Sequence, residues 1–209
     1  MTRNAHAQEE GNEARSGAAG AVARSAADKI TLRPSSSLDL ELAAALRGRL
    51  EGLFGLACEV SVCAGEDDGD KESEPAAPRD PATIAGALPS MADGKKLLVL
   101  TRLQLTSATG SPVWGAAELG GRRALLSLCP FGIPNGPPQH WRHVFRQVLR
   151  EAAHELGHLF GLEHCDSVGC IMQVRPARVD DDTRVRFCGA CEERLRATLP
   201  AASCRQDQG

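Results

Sequence analysis

Three observations predict an α/β fold. The short run Lys29–Leu32 is followed by an amphipathic helix pattern and then by the alternating segment Cys58–Val62. Such a strand–helix–strand unit calls for a right-handed crossover into a parallel pair. Lys96–Thr101, with Leu97, Leu98, Val99 and Leu100 between, reads as a buried strand. A long 3.6-residue periodicity then runs from Trp141 to Phe160.

In chain order, residues 1–28 are small, polar and charged, with no periodic apolar face, and read as a disordered extension. Residues 29–200 are expected to form one domain, with 201–209 as a tail. Pro34 and three serines end the first strand. Ser37 is the expected N-cap of the first helix, with Asp39 and Glu41 in its first turn. Leu42, Leu46, Leu50, Leu53 and Phe54 make its apolar stripe, and Gly55 ends it. Residues 64–81 are acidic and rich in Pro and Gly, as in a flexible surface loop, and residues 82–92 suit a short helix. Pro112–Leu119 reads as extended, with Gly120 and Gly121 turning it into a strand over Arg123–Leu128. A Pro- and Gly-rich loop, 130–138, leads into the long helix. There Trp141, Val144, Phe145, Val148, Ala152, Leu156 and Phe160 form one stripe. His143, Gln147, Glu151, His154 and His158 fall on the opposite side, which can border a cleft. A solvated side chain is the expectation for Glu151, with orientation of a metal ligand as the alternative.

Bulk composition narrows the function. A net charge of -3 gives no basic field for nucleic acid, and no stretch approaches membrane-spanning length. The N-terminus has no apolar run of the signal-peptide type. Residues 14–26 mix Ala, Arg, Ser and Gly as a transit peptide would, but Glu9, Glu10 and Glu13 argue against one. A cytoplasmic protein with reduced thiols is expected, and its eight cysteines then suggest metal binding rather than disulfides.

The chemistry concentrates in one stretch, His154-Glu155-Leu156-Gly157-His158-Leu159-Phe160-Gly161-Leu162-Glu163-His164. Residues four apart on a helix point the same way, so His154 and His158 can share one metal ion. Gly161 can take the left-handed conformation that ends the helix and folds the chain back. His164 then arrives as a third ligand. Three neutral imidazoles with one open position is the pattern of a catalytic zinc site. Glu155, one step round the helix, is a poor ligand but well placed as a general base on a zinc-bound water. A chance His-x-x-x-His is common, but Glu155, Gly161 and His164 add three constraints at fixed offsets. Cys165, Cys170, Cys188 and Cys191 form a further set, with Cys188 and Cys191 as a Cys-x-x-Cys half-site. Four thiolates leave no open position, so that zinc would be structural. Two disulfides or unrelated buried thiols are the competing readings.

The run His154–His164, followed by Cys165, Cys170, Met172, Cys188 and Cys191, resembles the archaemetzincins, a family of zinc metallopeptidases of the metzincin clan. The Leu98–Thr101 and Val113–Ala116 segments look similar to family counterparts, and the resemblance extends from about Ile30 to Cys191. It implies a metzincin-like fold: an upper subdomain (29–161) with a twisted mixed sheet and two long helices, and a small zinc-stabilised lower subdomain (162–200). It implies Met172 as a hydrophobic floor beneath the three histidines, and Val113, Trp114 and Gly115 as a strand that pairs with substrate backbone. The expected activity is hydrolysis of peptide or protein substrates by a monomer holding two Zn2+ ions. A zinc-holding interaction module without peptidase activity is the alternative, against which the intact Glu155 argues. A protease recruited to DNA is disfavoured by the missing basic stripe. The sequence contains no Tyr, so an oxyanion donor of that type is excluded.

Overall fold

The computed structural model describes residues 29–36, 39–61, 95–107, 110–132, 141–174 and 184–199. The N-terminal extension, Ser37, the whole acidic loop 64–81, the 82–92 segment, most of the 130–138 loop and the C-terminal tail lie outside them.

Seven strands and three α-helices follow one another in these segments, with one 3-10 turn over Cys129–Phe131 before the long helix. They are β1 (Lys29–Pro34), α1 (Leu40–Phe54), β2 (Ala57–Val60), β3 (Lys95–Thr101), β4 (Leu105–Thr106), β5 (Pro112–Val113), β6 (Gly115–Ala117), β7 (Arg123–Ser127), α2 (Trp141–Leu159) and α3 (Gly189–Thr198). The main sheet has the order β2-β1-β3-β7-β6. β1 runs parallel to β2 and to β3, β3 parallel to β7, and β6 alone is antiparallel, on the edge. The strand–helix–strand unit thus forms the parallel pair its sequence predicts, and the sheet is mixed.

Alternation along the strands assigns the two faces. Ile30, Leu32, Leu98, Leu100, Ala124 and Leu126 join one large core with the buried residues of α1 and α2. Leu97, Val99 and Leu125 point the other way and pack with Leu105 of the β4–β5 pair. Coverage on both faces explains why Leu97–Leu100 is apolar without interruption.

α1 buries Leu42, Ala43, Leu46, Leu50 and Phe54, and Gly55 closes it at φ 64° with its N–H on the Glu51 carbonyl. Asp39 is the N-cap residue rather than part of the first turn, and its carboxylate makes no cap bond. It instead takes a two-pronged hydrogen bond from Arg102, 2.8–3.2 Å, which ties the helix start to the end of β3.

The core does not stop at α2. Phe54 packs against Phe160 (centroids 5.3 Å) and edge-on against Phe187 (5.7 Å), and Leu162, Ile171, Met172, Cys191 and Leu195 belong to the same cluster. The chain after the long helix is therefore anchored by the apolar interior of the sheet. Among the described residues, no helix is long and apolar enough to cross a membrane.

Candidate metal centres and cleft

The C-terminal end of α2 is built to turn sharply. Gly161 has φ 81°. The Leu162 N–H returns to the Gly157 carbonyl (3.0 Å) and the Gly161 N–H to the His158 carbonyl (2.9 Å). This 6→1 and 5→2 pair is a Schellman close, which only a left-handed residue at the Gly161 position permits. Neighbouring strands also reach the last helix carbonyls. Gly120 N–H donates to the His158 carbonyl (2.8 Å), and Lys96 Nζ donates to those of Leu159 (2.9 Å) and Gly121 (2.7 Å). The ammonium lies at the negative end of the helix and over the Phe160 ring at 5.2 Å. β3 and the β6–β7 turn thereby fix the helix end that carries the histidines.

The turn brings His164 back to His154 and His158. Ligand-capable nitrogens of the three lie within 4.8 Å of one another. Their ring centroids are 4.7 to 5.3 Å apart. His154 Nδ1 lies 2.9 Å from the Ile171 carbonyl, and His158 Nδ1 lies 2.7 Å from that of Leu162. A carbonyl only accepts, so both Nδ1 atoms carry the proton, and in a neutral ring each Nε2 is then a bare lone pair. Burial favours that neutral form, holding His154 down to about 4 and lowering His158 as well. The two Nε2 atoms face each other at 3.1 Å. Two lone pairs at that distance repel unless a cation lies between them. Zinc–nitrogen bonds of about 2.0–2.1 Å in a tetrahedron require nitrogens about 3.3 Å apart. The residues present fit a zinc ion.

The four cysteines make a second cluster. Their sulfurs lie within 4.8 Å of one another, and Cys165 Sγ is 3.7 Å from Cys188 Sγ. All four are free thiols, so the disulfide reading fails. A tetrahedron with zinc–sulfur bonds of about 2.3 Å places sulfurs about 3.8 Å apart. Backbone N–H groups aim at these sulfurs: Ser167 at Cys165 (3.4 Å) and Cys188 at Cys170 (3.3 Å). The Cys191 N–H holds the Cys188 thiol down to about 6, while burial pushes those of Cys170 and Cys191 up. Donor N–H groups around clustered sulfurs suit thiolates, and this donor set also fits zinc.

The two clusters share backbone. Cys170 supplies a sulfur to one, and its carbonyl accepts from Arg150 Nη2 on α2. The next carbonyl, that of Ile171, is the Nδ1 partner of His154. The Met172 carbonyl accepts from Cys165 N–H at 3.0 Å. Arg150 lies one turn before His154, and that spacing was the available signal for it. Met172 is fully buried and packs on Gly157, where a Cβ would stand 2.5 Å from its Sδ.

A cleft of about 1130 Å³ opens over the histidines, lined by β5–β6, α2 and the chain after Met172. Val113, Trp114 and Gly115 all line it. Trp114 is 41% exposed and packs edge-on against Phe131. Gly115 borders the carboxylate of Glu155, since a Cβ there would meet Oε1 at 2.5 Å. Glu155 is only 6% exposed, and burial, with Glu151 nearby, pushes it up to about 8. Glu151 is not solvated as its type suggests. Its side chain is 13% exposed, and burial raises its pKa. The ligand-orienting role also falls elsewhere, to the carbonyls of Ile171 and Leu162. Glu163, Gln173 and Val174 complete the lining unforeseen.

Comparison with known proteins agrees. Residues 118–197 match the profile of peptidase family M54. The chain is 32% identical to the archaemetzincin of Haloarcula marismortui, over 66% of this chain and 83% of that protein. It is 39% identical to that of Archaeoglobus fulgidus over 40% of this chain, an alignment spanning only 49% of that relative. The crystal structure of the Archaeoglobus fulgidus protein complexed with malonate superposes with a TM-score of 0.59 at 30% identity, covering 79% of this chain and 99% of that one. The Methanopyrus kandleri archaemetzincin shares the fold, with a TM-score of 0.64 at 21% identity over 85% of this chain and 98% of its own. With its histidine and cysteine clusters, its mixed sheet and these relatives, the chain belongs to the archaemetzincin family.

Proposed function

We propose that this chain is a zinc-dependent peptidase. His154, His158 and His164 hold the catalytic ion, and Cys165, Cys170, Cys188 and Cys191 hold a structural one. The observation that carries the reading is the pair of backbone-fixed imidazoles, with bare nitrogens 3.1 Å apart, beside a buried carboxylate in an open cleft. Zinc bound there would supply a Lewis acid that polarises the scissile carbonyl and makes a water more acidic.

The chain's own residues supply the rest. The edge strand β6 offers backbone along the cleft wall, against which an extended substrate can lie as an added strand. Glu155 takes a proton from the attacking water at a carboxylate oxygen as the C–O bond forms. It passes that proton to the amide nitrogen as the C–N bond breaks. A pKa lifted by burial suits a group that must both accept and return a proton near neutrality. Gly115 keeps the Glu155 carboxylate against β6, and Met172 closes the floor behind Gly157.

Glu155→Gln preserves shape and removes the base. It should retain two zinc ions per chain by elemental analysis and lose at least about 100-fold in cleavage of a peptide mixture. Cleavage persisting in that variant would remove Glu155 from its role. Wild-type protein that binds zinc at the histidines yet cuts nothing would favour the interaction-module reading.

A further inference from the structure

We propose that Glu151 makes this cleft select substrates carrying a lysine or arginine side chain beside the scissile bond. The inference rests on the peptidase reading and deepens it. Glu151 lies one turn before Glu155 on α2, so both carboxylates face the cleft. Its side chain is 13% exposed. Among the described residues, the nearest cation is Arg150 Nη1 at 3.9 Å, beyond hydrogen-bond reach. That guanidinium is committed elsewhere through Nη2, which donates to the Cys170 carbonyl. Among the described residues, nothing donates a hydrogen bond to the Glu151 carboxylate.

Apart from the zinc ion that the histidines would hold, the side-chain charge on the cleft wall is one-sided. Glu151, Glu155 and Glu163 line it, and no Lys or Arg does among the described residues. Glu155 is committed to proton transfer, which leaves Glu151 and Glu163 for a substrate cation. Glu163 is exposed and screened by solvent, whereas Glu151 sits at low local dielectric, where one charged contact discriminates more strongly. Burial without a hydrogen-bonding partner raises the Glu151 pKa, and an incoming ammonium or guanidinium would reverse that. Val174, also on the wall, offers apolar surface for the methylenes of such a side chain.

The test uses zinc-loaded full-length protein and one cleavable peptide, with each position flanking the cut made in turn Lys, norleucine or Glu. At one flank, kcat/KM for Lys should exceed that for norleucine by roughly tenfold, with Glu poorer still. Glu151→Gln, which is isosteric, should bring the Lys-to-norleucine ratio to near one, and Glu151→Lys should place Glu above Lys. A wild-type ratio near one at both flanks overturns the proposal. So does a Lys preference that survives Glu151→Gln, since the cation would then be read elsewhere. A parallel measurement separates this from failure of the peptidase reading. Fluorescent Lys and norleucine peptides are titrated onto Glu155→Gln protein, which binds without cutting. If no peptide is ever cleaved, tighter binding of the Lys peptide still supports the subsite, and equal binding overturns it.

Discussion

A methyl group at position 115 would stand 2.5 Å from Oε1 of Glu155 and 2.7 Å from the carbonyl oxygen of Leu125. Both contacts are closer than any real Cβ tolerates, so the carboxylate must swing aside and β6 must also move away from β7. Gly115→Ala should therefore displace Glu155 rather than merely narrow the cleft. The expected result is a fall in kcat of about 10- to 100-fold with zinc content unchanged, because misplacing a reacting group by about 1 Å costs that much. Elemental analysis beside single-turnover kinetics checks it. A variant that loses only substrate affinity would instead place Gly115 in strand pairing alone. This role was hidden in the sequence, where a glycine within an extended segment marks close approach by something without saying by what.

At the scale of elements, the sequence carried much of the arrangement, for physical reasons that can be named. Periodicity in α2 separates a buried stripe from a histidine face by geometry alone, and the Gly161 turn follows from its left-handed φ. Spacing could not reveal that the loop after Cys165 serves both clusters, because that depends on which carbonyls the fold turns toward α2. It also could not reveal that Glu151 is half-buried, since a carboxylate on a helix face is solvated unless another segment covers it. The shared loop has a consequence. Cys170 gives its sulfur to the cysteine cluster and its carbonyl to Arg150, and Ile171 steadies His154. Cys188→Ser with Cys191→Ser should therefore loosen the histidine site, weakening its zinc by about 10-fold or more, as loss of ligand-orienting partners does. Competition with a chromophoric chelator reads this directly. Unchanged affinity there would show that the two sites are independent.

For the molecule as a whole, the buried Glu155 carboxyl couples the cleft to global stability. Its folded-state pKa is raised to about 8 by burial, against 4.5 as its ordinary value. The folded state then keeps a proton that the unfolded chain releases. Stability contributed by this group is present at acid pH and lost as pH rises from about 4.5 to about 8. Glu155→Gln removes the titration and keeps the shape. With metal stripped from the histidine site, the variant should match wild type near pH 4.5 and be more stable at pH 8.5, by an amount on the order of 2–4 kcal/mol. His154 titrates in both proteins, so its contribution cancels in the difference. Urea midpoints at the two pH values measure the gap. An equal gap at both would mean the carboxyl titrates normally in the fold. Restoring zinc should narrow the gap at pH 8.5, because a cation beside the carboxylate favours its charged form and lowers the pKa that burial had raised. The same charge that makes this site costly when stripped is what Glu155 needs in order to accept a proton near neutral pH, so stability without metal and function with it pull on one group in opposite directions.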